Sequence, residues 1–143
     1  MTSHVTRSEA ETSALGRALG RRLSAGDVVL LAGPLGAGKT AFVRGLAEGL
    51  GCDPEDVSSP TFTIVQHYDG PLPLQHVDLY RLSPVETDDL ALEDLMENAV
   101  MAVEWPERWP RAPVDAIAVA IEPDGDTTRR ITASIDLAPE PAA

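Results

Sequence analysis

Between Glu9 and Leu23 the apolar side chains Leu15, Ala18, Leu19 and Leu23 recur at the spacing of one helix face. The pattern then changes. Asp27-Val-Val-Leu-Leu-Ala32 is a short unbroken apolar run rich in β-formers, opened by Gly26-Asp27, and it predicts a buried strand. Helical spacing returns with Phe42, Val43, Leu46, Ala47 and Leu50, and Gly51 supplies the stop. Phe62-Thr-Ile-Val-Gln-His-Tyr68 predicts a strand that Gly70-Pro71 breaks, and Leu74 to Leu79 predicts another that ends near Asp78. Ser83-Pro-Val-Glu86 joins an N-cap serine, a proline at the first helical position and a glutamate that completes a capping box, so a helix carrying Leu90, Leu92 and Leu95 is expected there. Ala99-Val-Met-Ala-Val103 is a second continuous apolar run, and it ends on Glu104. Two late strands are expected, Ala116 to Ile121 and Ile131 to Ile135, with Gly125 in the turn between them. The stretch from Met1 to Ala10 is polar, has no signal-peptide core, and is expected to leave His4 in a mobile terminus.

The junction of the first strand and the second helix reads Gly33-Pro-Leu-Gly-Ala-Gly-Lys39-Thr40, which fits G-x-x-x-x-G-K-[ST], the phosphate-binding P-loop. Strand, glycine loop and helix in succession aim the loop amides and the helix N-terminus at phosphate oxygens. Lys39 is the only lysine; the ten other basic side chains are arginines. An ammonium is a compact point charge that fits between phosphate oxygens, where a planar guanidinium is wider. The fold expected from these elements is α/β: a P-loop NTPase domain with a mixed central sheet flanked by helices. It fills residues 1–137, and the tail at 138–143 has disorder-prone composition.

Composition narrows the partners. The net charge is −12 over 143 residues. Such a surface repels nucleic acid over most of its area and lacks the electrostatic footprint of a general DNA or RNA binder. Arg17, Arg21 and Arg22 read as a solvated helix face. The acidity also favours a metal–nucleotide complex over free nucleotide in the loop. Cys52 is the only cysteine, which fits a reducing compartment and points to the cytoplasm, and no apolar run reaches the roughly 20 residues of a membrane span.

A P-loop needs an acid for the shell of its Mg²⁺, usually at the end of a buried strand. Glu104 follows the stronger apolar run and is the better metal candidate; Asp78 follows a weaker run and reads otherwise as a capping or turn carboxylate. Thr40 is the expected hydroxyl ligand of the metal. Ser59-Pro60-Thr61 reads equally as a segment that senses a γ-phosphate and as an ordinary turn. His67 and His76 have no metal-ligand spacing and read as structural; Trp105 reads first as a packing aromatic.

Taken together, the loop Gly33–Thr40, Ser59-Pro-Thr-Phe62, His76-Val-Asp-Leu-Tyr-Arg-Leu82 and Val103-Glu-Trp-Pro-Glu107 resemble the TsaE (YjeE) family over roughly Thr6 to Ile135. That resemblance implies a slow P-loop ATPase of tRNA threonylcarbamoyladenosine synthesis, one that supports the TsaD–TsaB complex and does not itself modify tRNA. It implies ATP and Mg²⁺ as cofactors. Carried over by position, Leu35, Gly36, Ala37, Gly38, Lys39 and Thr40 cradle the phosphates, and Thr40 and Glu104 hold the metal. Asp78, Lys39 and Glu104 serve hydrolysis. Glu9, whose spacing to Thr12 also fits the family, Thr61 and Trp105 are further nucleotide-site positions, and the late stretch Thr127 to Arg130 matches another, assigned to Arg130. Ala41 departs from the pattern, where several relatives carry a second hydroxyl.

Three rival readings frame this one. A regulatory GTPase needs an Asn-Lys-x-Asp-type guanine reader, and with Asn98 the only asparagine and Lys39 the only lysine that motif cannot exist. A small-molecule kinase needs basic clamps, for which Arg44, Arg81, Arg108 and Arg111 are available, but no lid insertion is visible. A non-catalytic nucleotide-sensing module would use the same residues as a slow ATPase.

Overall fold

The two continuous apolar runs lie side by side at the centre of a seven-stranded sheet in this computed structural model, which describes residues 2–34, 36–57 and 64–137. In chain order the strands are β1 (Thr2–Thr6), β2 (Val28–Ala32), β3 (Val65–Tyr68), β4 (Leu74–Asp78), β5 (Val100–Glu104), β6 (Ile117–Pro123) and β7 (Arg129–Ala133). The helices are α1 (Glu9–Gly20), α2 (Lys39–Leu50) and the short α3 (Pro84–Asp88). Strand order is β1-β7-β6-β2-β5-β4-β3. The four central strands β6, β2, β5 and β4 are parallel, while β3, β7 and β1 join antiparallel, so the sheet is mixed as expected.

Burial on both faces explains the unbroken apolar runs. Alternate residues of β5 serve two cores: Val100 and Ala102 pack with α1 and α2, and Met101 and Val103 pack with Leu92 and Trp109 on the opposite face. Strand alternation therefore turns Glu104 toward the α1–α2 side. The same rule turns His76 and Asp78 to that side, because Leu74 belongs to the α1–α2 core and Val77 to the other.

Helices α1 and α2 meet backbone to backbone. A Cβ on Gly45 would lie 1.9 Å from the Ser13 carbonyl oxygen, and one on Gly16 would lie 2.2 Å from that of Phe42. The Ser13 hydroxyl donates to the Ala41 carbonyl at 2.8 Å across the same seam. This contact locks the first helix against the helix that follows the P-loop.

Three expectations change. The polar N-terminus is strand β1, paired in register with β7 from Thr2↔Ala133 to Thr6↔Arg129, so His4 is held in a ladder. Antiparallel pairing at a sheet edge needs little apolar patterning, which is why the sequence did not announce it. The capping box at Ser83 and Glu86 is present, but α3 stops at Asp88. Leu92–Leu95 is a separate 3-10 turn after Ala91, whose φ is 49°. Asp88 and Asp89 are poor helix formers and sit at the negative end of the helix dipole, which explains the stop. Helix α1 ends at Gly20 rather than Leu23, although Leu23 still packs on the core.

Candidate functional site

At the C-terminal ends of β2, β4 and β5 the sheet opens into a cleft of about 850 Å³. Open parallel sheets place ligands at this end. Gly33 leaves β2 so close to β6 that a Cβ there would meet the Ile121 carbonyl oxygen at 2.4 Å. Gly36 and Gly38 take φ of 77° and 102°, and Gly38 is the N-cap of α2. No side chain caps that helix and no acid stands in its first turn. Its first amides, with their share of the helix dipole, therefore face the cleft for an anionic ligand.

Lys39 opens α2 and is buried, with its Nζ 2.6 Å from the Gly33 carbonyl oxygen. The same ammonium lies 3.6 Å from Glu104 Oε1 and 4.3 Å from the centre of the Trp105 ring. Glu104 is buried at the end of β5, paired in register with Asp78 at the end of β4. Its second oxygen, Oε2, accepts a hydrogen bond from His76 Nε2 at 2.5 Å. Asp78 Oδ1 accepts from the Tyr80 amide at 2.9 Å. Loss of water around the Asp78 carboxyl pushes its pKa up, the Tyr80 amide opposes this, and the Glu104 charge adds to the rise. Trp105 follows Glu104 in a left-handed conformation, φ 58°, which swings its ring over Lys39 and against Tyr80 at 5.0 Å between centroids. A non-glycine residue held there carries backbone strain of the kind that collects at functional sites.

Of the positions expected from sequence, Glu9, Gly36, Gly38, Lys39, Thr40, Asp78, Glu104 and Trp105 line this one cleft. Ala37 is buried in the loop behind it. Leu35 and Thr61, with the Ser59–Thr61 segment, lie outside the described residues, as does the 138–143 tail. Arg130 is not in the lining: it points to the other side of β7 and pairs with Asp124 at 3.4 Å. Its neighbour Arg129 lines the cleft instead and donates to the Gly36 carbonyl at 3.4 Å. Adjacent residues of a strand face opposite ways, so the shift by one residue decides which arginine reaches the loop.

Sequence reasoning also missed Arg7 and Ser8, which the β1–α1 turn brings to the cleft, and Asp126 from the β6–β7 turn; Thr12 of α1, noted only for its spacing from Glu9, and Thr127, from the expected 127–130 stretch, line the cleft too. Among the kinase-type clamps, Arg44 and Arg81 line the cleft. Arg108 lies behind Trp105 and donates to the Tyr80 and Leu82 carbonyls, and Arg111 pairs with Asp88 at the surface. The expected helix face of Arg17, Arg21 and Arg22 is broken up, because α1 ends at Gly20: Arg17 pairs with Glu48 of α2 across the helix seam, and Arg22, beyond the helix, donates to the Asp136 carbonyl.

The lining holds the bases Arg7, Lys39, Arg44, Arg81 and Arg129 beside the acids Glu9, Asp78, Glu104 and Asp126. On a chain of net charge −12, that concentration of cations marks the cleft as the place for a polyanion. No group of three or more His, Cys, Asp or Glu able to hold a metal occurs among the described residues. Mg²⁺ does not require one, since it binds through one or two protein oxygens plus phosphates and water. The Thr40 hydroxyl and Glu104 carboxylate, hard oxygen donors at the mouth of the loop, fit that demand.

The family model described as "Threonylcarbamoyl adenosine biosynthesis protein TsaE" matches residues 6–131. A tRNA threonylcarbamoyladenosine biosynthesis protein TsaE from Nostoc sp. is 44% identical over 127 residues, covering 85% of this chain and 78% of the relative. The Treponema pallidum protein of the same name is 42% identical over 131 residues, covering 90% of this chain and 96% of the relative. The crystal structure of Bacillus subtilis YdiB superposes with a TM-score of 0.76 at 35% identity, covering 92% of this chain and 83% of that one. Matched over nearly its whole length in sequence and in fold, the chain belongs to the TsaE family of threonylcarbamoyl adenosine biosynthesis proteins.

Proposed function

We propose that this protein is a Mg²⁺-dependent ATPase that supports threonylcarbamoyladenosine formation on tRNA. It acts as one P-loop unit over residues 1–137 and in the cytoplasm. The observation that carries the ATPase reading is the convergence of Lys39, Glu104 and Asp78 on the uncapped N-terminus of α2. The loop amides and Lys39 bind phosphate oxygens, and Arg129 and Arg44 lie within the same cleft to offset further charge. Thr40 and Glu104 would hold the metal, which would supply charge to screen the phosphates. Asp78 orients the attacking water and accepts its proton, a task suited to a carboxylate raised above its usual range by burial. Trp105 and Tyr80 wall the site on one side and exclude water from around Lys39.

Family membership supports a role in this pathway, the accessory role and the TsaD–TsaB pair as partners are our reading of it, and the acidic surface supports a role that leaves tRNA to those partners. No helix of the described residues is long and apolar enough to cross a membrane. The test is phosphate release from ATP and from GTP, with and without TsaD–TsaB. Slow Mg²⁺-dependent ATP turnover that rises with the pair is expected. Nucleotide binding with no turnover in either condition would replace the ATPase with a sensing module. Transfer of phosphate to a small molecule, in place of release, would make it a kinase.

A further inference from the structure

His76 makes a buried polar contact that the mechanism above does not use. Its side chain has no solvent exposure, and it sits on β4 two residues before Asp78. Nε2 meets Glu104 Oε2 at 2.5 Å, and Nδ1 has no partner among the described residues. A carboxylate only accepts, so the ring proton of this contact sits on Nε2. Around the ring are Tyr68, at 6.3 Å between centroids, and the apolar residues of the α1–α2 core. Packing alone does not account for an imidazole here. A leucine would fill similar space without burying an unpaired nitrogen, which costs free energy. What leucine cannot do is hold Glu104.

The geometry shows what that hold achieves. Glu104 stands in register with Asp78, and like charges side by side push its carboxylate away. Lys39 pulls from the cleft side at 3.6 Å. Left to these forces, a three-torsion side chain could close both oxygens on the ammonium, and Lys39 and Glu104 would satisfy each other. His76 occupies Oε2 and leaves Oε1 alone facing the loop.

We propose that His76 is a positioning residue: its Nε2–H fixes the Glu104 carboxylate so that one oxygen stays directed at the metal–phosphate position beside Lys39. The inference rests on the Mg²⁺–nucleotide reading of the site and extends it to a residue outside the cleft lining. Partners behind metal ligands commonly set ligand orientation in this way.

The test measures binding of a fluorescent ATP analogue to the full chain as Mg²⁺ is titrated, beside a metal-free measurement in EDTA. In His76→Leu the Mg²⁺ midpoint should rise about tenfold or more, the usual effect of removing such a partner. Binding without metal should fall by less than the Mg²⁺-dependent binding, because the loop amides are untouched while Lys39 is shared with the released Glu104. His76→Gln carries an amide N–H to the Nε2 position and should restore the wild-type midpoint. His76→Asn, with the same chemistry but shorter reach, should not. A wild-type midpoint in folded His76→Leu overturns the proposal. So do equal midpoints in the Gln and Asn variants, a comparison that stands if the Leu variant does not fold. Wild-type binding indifferent to Mg²⁺ would remove the metal reading and this inference with it. That outcome is distinct from a Mg²⁺-dependent wild type whose variants match it.

Discussion

At the scale of single residues, Lys39 and Asp78 sit in opposite electrostatic situations. Lys39 is buried with its ammonium between the Gly33 carbonyl, the Glu104 carboxylate and the face of Trp105. Lys39→Ala should lose nucleotide binding in a fluorescence titration while the chain stays folded; binding at wild-type strength would remove the phosphate anchor. Glu104→Ala should keep some nucleotide binding but lose its dependence on Mg²⁺. Asp78 is held above the usual carboxylate range by burial, opposed by the Tyr80 amide and reinforced by Glu104. The folded form then binds the proton more readily than the unfolded form. Its favourable contribution is full below the ordinary value near 4 and is lost as pH rises through the raised value. Asp78→Asn should therefore raise the melting temperature of the ligand-free protein at neutral pH, and the gain should fade as the pH falls through the raised value and be gone below about 4. An equal gain at both ends of the pH series would show that charge is not the cause. That Lys39, Thr40 and Glu104 share one cleft follows from contiguous patterns in the sequence that place each at a strand end or helix start. No such pattern announces His76, because its partner lies on another strand, 28 positions away.

At the scale of elements, the seam between α1 and α2 carries the site. Helix α1 brings Ser8, Glu9 and Thr12 to the cleft, and α2 brings Lys39 and Thr40. Their spacing is set by glycines whose Cβ position is already filled by the opposite backbone. Gly45→Ala gains about 1 kcal/mol of helix propensity. It must also displace the Ser13 carbonyl, a backbone group that cannot rotate away, at an overpacking cost of about 3 kcal/mol. A lower urea midpoint and weaker nucleotide binding are expected; an unchanged midpoint would mean that the seam opens freely. The helical periods of α1 and α2 were visible in the sequence, yet nothing in the periods said that these two helices touch. The end of α3 was misread for a related reason: Leu90, Leu92 and Leu95 keep helical spacing but pack on the β5 face from a separate turn.

At the scale of the whole molecule, charge and edges decide behaviour. A net −12 keeps most of the surface hostile to polyanions, while one cleft gathers five bases against four acids and so carries a small positive excess. This focusing should steer an anionic ligand to the loop. Strand β1 closes the β7 edge of the sheet, and the turn after it contributes Arg7 to the cleft. Deleting residues 1–7 should expose the β7 ladder, promote self-association seen by light scattering, and lower the urea midpoint. A monomeric truncated chain of unchanged stability would show that the edge needs no cover.

The sequence by itself determined the phosphate loop, the helix behind it, the buried strands and the acid that ends each of two of them. Those features depend on neighbours in the chain: a contiguous motif, a period, a run that stops on a carboxylate. Only the tertiary structure decided which arginine of the 129–130 pair faces the loop, that the N-terminus is an edge strand, and that His76 grips Glu104. The first depends on strand phase, the second on a hydrogen-bonded ladder with little apolar pattern, and the third on the register of two parallel strands. Each is set by pairing between distant segments, which leaves no local trace in the order of residues.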